Sequence, residues 1–318
     1  MASFIICRQA ARVAAGLAVV AAGTAFAETI TISGHFPARN REASYLQRLA
    51  IDQFRGRDGA QLSNAIGDAL AEARNGSGPH FMLLGDPGTR ADGVLSGSAT
   101  SDWEEHRVQL TRNRCVERAE PEPGKKGDGK CTRHEDVPVP CMERTTSLTA
   151  SLRIVRTRDG AIVYSSTKPR SETISWCPGE SPSRSAEATI ASMIDDIAGE
   201  TRGDIAPKGE TYKVRYREDR TGLSKHLAEQ FKAVLRQTKT DGPGACAGWA
   251  SIAREQPGQH ALLFNMGLCT EERGDYPGAI DLYRQAGAAK HGDDVKVAIG
   301  RAQSLIAGAE DEARFRRR

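Results

Sequence analysis

The sequence predicts a mixed α/β domain, with a mixed sheet and helices, followed by an all-α region. Three observations carry this expectation. From residue 28 to about 207, short alternating apolar runs that suit strands take turns with segments whose apolar residues recur at three and four. From residue 221 onward only the helical period persists. At 318 residues the chain is long enough for two cores, at roughly 100 to 200 residues each.

Leu49 and Ile51 mark a first short strand, which ends at Phe54 and the turn Arg55-Gly56-Arg57-Asp58-Gly59. Leu62, Ile66, Ala69, Leu70 and Ala73 then put one apolar stripe on a helix over residues 60–73. Residues 81–84 read as a buried strand before the turn Gly85-Asp86-Pro87-Gly88, and residues 91–100 as another, with Val94 and Leu95 ahead of Gly97. Residues 102–144 form a polar, cysteine-bearing excursion. Its centre, Pro121-Glu122-Pro123-Gly124-Lys125-Lys126-Gly127-Asp128-Gly129-Lys130, cannot bury a core and is expected to be a loop at the tip of a long hairpin.

Leu148, Ala150, Leu152 and Ile154 alternate with polar residues, and Arg158-Asp159-Gly160 turns the chain into Ile162, Val163 and Tyr164, a hairpin pattern. A further strand reaches Trp176 and Cys177, and Ala186, Ile190, Met193, Ile194 and Ile197 line one helix face. Residues 208–243 hold a strand with Tyr212, Val214 and Tyr216, a helix with Leu223, Leu227, Phe231, Val234 and Leu235, and a polar connector over 237–244. Helices occupy 244–310, the closing one over 294–309, and a solvated basic tail ends the chain at 311–318.

Residues 1–27 read as a signal peptide. Arg8 and Arg12 precede a small-apolar run from Val13 to Ala22, and Ala25-Phe26-Ala27 has the small-x-small cleavage pattern, placing the cut between Ala27 and Glu28. Cys7 lies before the apolar run, so no lipid-attachment cysteine follows it. The run is short of the roughly 20 residues a spanning helix needs, and no other run is long enough, so no transmembrane segment is expected in the mature chain. The expected location is periplasmic, peripheral to the outer membrane at most. Removing the leader takes away two of 44 basic residues and none of the 41 acidic ones, leaving a net charge of +1, which does not favour nucleic acid.

Cys115, Cys131, Cys141, Cys177, Cys246 and Cys269 remain, an even number in an oxidising compartment, and are disulfide candidates. The four clustered ones allow three pairings. A bond between Cys115 and Cys131 would close the base of the loop, and Cys246 and Cys269 would sit on neighbouring helices. The competing possibility is a zinc site at Cys115, Cys131, His134 and Cys141, although its spacing is irregular.

Met266, Gly267, Gly274, Tyr276, Ala279, Tyr283 and Ala286 fall at the spacing of a tetratricopeptide (TPR) helix pair, with small residues where the two helices must approach. Ala245, Trp249, Ile252 and Pro257 match the second helix of a preceding unit. The region therefore resembles about one and a half TPR units. Fewer than three units rarely close a core, so an open helix face is expected to rest on another part of the chain or on another subunit.

Leu49-Ala50-Ile51-Asp52-Gln53-Phe54, Ala91-Asp92-Gly93-Val94-Leu95-Ser96-Gly97, and the stretch from Leu152 to Tyr164 make residues 28–207 resemble the family of the curli secretion lipoprotein CsgG. That resemblance implies a non-enzymatic α/β domain that forms rings or contacts envelope machinery. The chain departs from the family in lacking the lipid-attachment cysteine, and Arg112, Arg114, Glu117 and Arg118 make its excursion too charged for a membrane-spanning hairpin.

No catalytic constellation is apparent. The chain has no G-x-S-x-G elbow, Walker loop or H-E-x-x-H motif. Asp195 and Asp196 are neighbours on a helix and point to different sides. Glu104-Glu105-His106 could hold a cation, and the Gly56 to Gly59 turn could hold an anion on its free N–H groups. A polar strand edge and an ordinary turn are the simpler accounts. The expectation is a non-catalytic protein without cofactor or metal, binding envelope proteins or itself through its helices and α/β domain. The alternative is a sensor of a small ligand or cation, with the closed hairpin as a lid.

Overall fold

The computed structural model describes residues 28–75, 78–85, 90–120 and 129–317. The leader with Ala27, the turn at 86–89 and the loop at 121–128 lie outside the described residues.

β1 (Thr29–Phe36) is followed by the short α1 (Arg41–Ser44), β2 (Arg48–Ile51) and α2 (Gly59–Ala71). The two-residue partners β3 (Arg74–Asn75) and β4 (Gly78–Pro79) precede β5 (Met82–Leu84), and then come the long strands β6 (Gly93–Arg118), β7 (Cys131–Arg156) and β8 (Ile162–Trp176). α3 (Ala186–Ile205) and β9 (Lys208–Arg215) lead into α4 (Lys225–Gln237), α5 (Gly242–Glu255), α6 (His260–Glu272), α7 (Tyr276–Ala289) and α8 (Asp293–Arg316). The fold is mixed α/β with helices in its C-terminal part, as expected.

The main sheet has the order β5-β2-β6-β7-β8, with β2 parallel to β5 and β6, and β6, β7 and β8 antiparallel. Alternation buries one face: Leu95 and Ala99 of β6 and Leu148, Ala150, Leu152 and Ile154 of β7 point to the helices. α2 covers that face with Leu62, Ile66 and Leu70, and α3 with Ile190, Met193, Ile194 and Ile197. α3 starts where Ser185 accepts the Ala188 N–H at 3.1 Å, satisfying one of the free donors of its first turn. Gly56 adopts φ +87° in the turn before α2, where a Cβ would come within 2.2 Å of the Ala99 carbonyl oxygen. The opposite face of the sheet is uncovered and carries hydroxyls: Ser98, Ser151 and Thr167 form one row across three strands.

The excursion at 102–144 is a paired hairpin over most of its length. β6 and β7 stay paired from Gly93 opposite Arg156 out to Arg118 opposite Cys131, with irregular register only beyond Cys115. β8 ends at Trp176, opposite Met142, so the outer part of the hairpin is a two-stranded arm. At about 3.3 Å per residue, Val108 to Arg118 spans about 35 Å. Apolar alternation is confined to Val108 and Leu110 on β6 and Val137, Val139 and Cys141 on β7, with charged residues on either side, so the pairing of the rest comes from cross-strand partners. β8 is likewise continuous where two strands were expected.

β1 was not anticipated. It pairs antiparallel with β9, Ile30 opposite Val214 and Ile32 opposite Tyr212, and this ribbon lies on α6 and α8. Ile32 and Tyr216 pack there with Leu263, Phe264, Leu268, Tyr283, Val295 and Ala298. The contact is close: a Cβ on Gly34 would stand 2.2 Å from Leu305 Cδ2, and one on Gly308 would stand 1.9 Å from the His35 carbonyl oxygen. α4, α5 and α6 share a neighbouring core of Leu227, Phe231, Trp249, Ile252 and Leu262. The connector shrinks to the residues between Gln237 and Gly242.

The expected solvated tail at 311–318 is instead largely helical. α8 runs to Arg316, Asp311 is buried, and the Phe315 ring sits 4.7 Å from that of His80. Basic residues masked an amphipathic last turn whose apolar partner lies on a distant segment.

Candidate functional site

Of the residues with TPR-type spacing, Ala245 and Trp249 on α5 are fully buried, the Trp249 ring centroid lying 4.7 Å from that of Phe231 at a tilt of 56°. Gly267 on α6 faces Tyr283 on α7 so closely that a Cβ would fall 2.5 Å from the ring. Ala279, Tyr283 and Ala286 are buried along α7, Met266 is partly buried against the α4–α5 core, and Tyr276 opens α7. Gly274, at φ +82°, ends the α6 turn in the conformation that glycine tolerates.

Two buried polar residues on α6 tie this stack to β9. Asn265 accepts the Arg217 N–H at 2.8 Å and donates to the Arg217 carbonyl at 3.0 Å, gripping the backbone just past the strand. Glu271 takes four donors: Arg301 Nε and Nη2, both at 2.6 Å, Tyr283 Oη at 2.6 Å and Tyr212 Oη at 3.1 Å. Burial, reinforced by the Glu271 charge, raises the pKa of both tyrosines, so both hydroxyls stay protonated as donors. The α6 and α8 face that could have received a partner peptide is therefore filled by the chain's own ribbon. Sequence periodicity missed both residues; the available signal was a polar Asn265 interrupting the apolar run from Leu262 to Cys269.

The cysteines form three disulfides: Cys115–Cys131, Cys141–Cys177 and Cys246–Cys269. The first joins the strands near the arm's tip, the second ties β7 to the end of β8 at the arm's root, and the third links α5 to α6. These bonds displace the zinc alternative, because thiols sharing a disulfide are not thiolate ligands. Among the described residues no three His, Cys, Asp or Glu side chains converge on a metal position. Glu104 and His106 sit on one face of β6 and Glu105 on the other; His106 Nε2 approaches Glu143 at 3.3 Å and Glu105 approaches Arg144 at 3.5 Å. At the Gly56 to Gly59 turn, Asp58 accepts the Ser101 N–H at 2.7 Å, placing an acid where an anion would have bound. Asp195 and Asp196 are exposed on α3.

One arm face carries an apolar band: Val108, Leu110, Val137 and Val139 surround the Cys141–Cys177 bond. Among the described residues no helix is long and apolar enough to cross a membrane.

A second feature lies where the end of α8 meets α1 and His80. Arg41 forms an ion pair with Asp311, Tyr45 Oη donates to Asp311 Oδ1 at 2.7 Å, and Arg314 lies 3.9 Å over the Tyr45 ring. Beside them opens a cleft of about 810 Å³, whose lining includes Arg48, Arg156, Arg158, Arg314 and His80. His80 Nε2 sits 3.0 Å from both Ser44 Oγ and the Ser44 carbonyl, leaving Nδ1 buried without a partner. Burial pushes the His80 pKa down to about 4.

No protein-family model matches the chain, and no curated protein matches it. Among solved structures it is similar to the PelC dodecamer from Paraburkholderia phytofirmans, with 13% identity over 56% of this chain and 98% of that one and a TM-score of 0.25. It is also similar to a minor lipoprotein from Acinetobacter baumannii, with 12% identity over 50% of this chain and 90% of that one and a TM-score of 0.25. Similarity at that level does not assign a function.

Proposed function

We propose that this chain is a non-catalytic, exported cell-envelope protein that acts as an assembly or adaptor module by binding other proteins. The observation that carries this is the arm. A lone two-stranded ribbon is marginally stable in water, yet here disulfides at root and tip hold one extended, with an apolar band on one face. Three disulfides suit an oxidising compartment and support a periplasmic location. The residue spacing at 244–310 supports TPR-like packing, and the motifs within 28–207 support a CsgG-like domain. With β1 lying on α6 and α8, binding falls to the arm rather than to a helical groove.

Crosslinking in the native envelope, read by mass spectrometry, tests this. Reproducible crosslinks from the arm to another protein or to a second copy are expected, and Leu110→Asp should weaken them. Their absence would count against a binding role.

The cleft favours a second reading, a sensor of a small anionic ligand, because Arg48, Arg156, Arg158 and Arg314 outnumber Glu42 and Asp92 in its lining. Thermal-shift screening against carboxylates and phosphates separates the two. A ligand at 100 times its Kd stabilises by about 2.7 kcal/mol, and no shift leaves the protein-binding reading standing.

A further inference from the structure

We propose that the free edge of β6 pairs antiparallel with the same edge of a second copy, centred on Val108. This rests on the protein-binding reading above and names the partner.

The hydrogen-bonding direction of β6 is set at its base. The Ala99 N–H donates to the Arg55 carbonyl at 2.9 Å, and the Ser101 N–H to Asp58 Oδ2 at 2.7 Å, so odd-numbered residues turn their backbone groups away from β7. Register with β7 is unbroken to Cys115. The same parity therefore directs the N–H and C=O of Glu105, Arg107, Gln109 and Thr111 outward, where no described strand meets them.

The two edges of the arm differ. Pro140 and Pro138 stand opposite Gln109 and Thr111, so their donor-less nitrogens fall on the outer edge of β7. Proline on an edge strand discourages strand addition. β6 has no proline between Gly93 and Arg118.

Charge on β6 is divided along its length. Asp102 and Glu104 lie toward the root, and Arg112 and Arg114 toward the tip, all on the Val108 face. Glu104, Arg112 and Arg114 have no hydrogen-bond or ion-pair partner among the described residues. Antiparallel pairing centred on Val108 places Asp102 opposite Arg114 and Glu104 opposite Arg112, each twice by symmetry, with Val108 opposite itself. These are positions without backbone hydrogen bonds between the facing residues, where side chains stand closest, at Cα separations of about 4.5 Å. The neighbouring centres are poorer: Gln109 brings His106 opposite Arg112, and Arg107 brings Arg107 opposite itself. The closed twofold interface also joins the apolar bands of the two arms.

Sedimentation velocity of the oxidised chain tests the pairing, and twice the chain mass is expected. Arg112→Glu with Arg114→Glu makes the edge acidic, and Asp102→Arg with Glu104→Arg makes it basic. Each variant alone should self-associate at least about tenfold more weakly, and an equimolar mixture should restore the dimer. Circular dichroism and a free-thiol count verify that the variants fold. A wild type that stays monomeric through the micromolar range overturns the proposal, as do variants that dimerise like the wild type or a mixture that stays monomeric. A monomer that still crosslinks to envelope proteins would defeat this inference alone; the absence of both would defeat the binding reading too.

Discussion

Arg301 on α8 and Glu271 on α6 meet as a bidentate pair with both contacts at 2.6 Å, and the carboxylate is sealed from solvent. Tyr212 from β9 and Tyr283 from α7 complete its coordination. One carboxylate therefore holds four elements in a single arrangement. Arg301→Ala leaves a buried charge without its counter-ion and should cost about 3–5 kcal/mol, read by urea denaturation. Replacing both partners with leucine should cost less, because no charge is then stranded and only the Tyr283 and Tyr212 hydroxyls lose their acceptor.

His80 makes stability depend on pH. Burial between Phe81 and Phe315 holds its folded pKa at about 4, below the ordinary 6.5 of the unfolded chain. The unfolded state therefore binds the proton first as pH falls, and stability declines between about 6.5 and 4. The loss attributable to this histidine should be about 3 kcal/mol. His80→Asn should flatten that part of the profile in urea titrations at a series of pH values.

The β1 contact with α8 has no room for a side chain at Gly308, where a Cβ would meet the His35 carbonyl oxygen at 1.9 Å. That neighbour is backbone and cannot swing aside. Gly308→Ala should destabilise by about 1–3 kcal/mol or detach the ribbon, despite alanine's better helix propensity. Thermal denaturation with hydrogen exchange on residues 29–36 would show which.

The Cys141–Cys177 bond anchors the arm's root to β8, closing a sequence separation of 36. Substituting both residues with alanine should cost about 2–4 kcal/mol. It should also expose the arm to protease while the sheet core stays intact, seen as early cuts within 108–141. In the unaltered protein, denatured without reductant, none of the six cysteines should react as a free thiol.

The legible parts of the fold were those whose signal is local. α2 and α3 carry apolar residues at helical spacing, and the turn Arg158-Asp159-Gly160 sits between two alternating runs. The arm was legible at its cysteines and its polar tip, since the alternation of Val108 with Leu110 and of Val137 with Val139 is short and flanked by charge. β1 was hidden because its partner, β9, enters the chain far downstream. Asp311 and Phe315 lie in a stretch with the local pattern of a solvated tail because their contacts, Arg41, Tyr45 and His80, lie near the other end of the chain.

By itself the sequence determined the mixed α/β class, the helical C-terminal part and the positions of most regular elements, because hydrophobic period and turn chemistry act between near neighbours. Tertiary structure alone decided that β1 and β9 cover α6 and α8, that Glu271 and Asn265 bind internally, and that the excursion is a paired arm whose outer edges differ. Those outcomes depend on donors and acceptors meeting across large sequence separations, where loop closure rather than local preference sets which pairings are made.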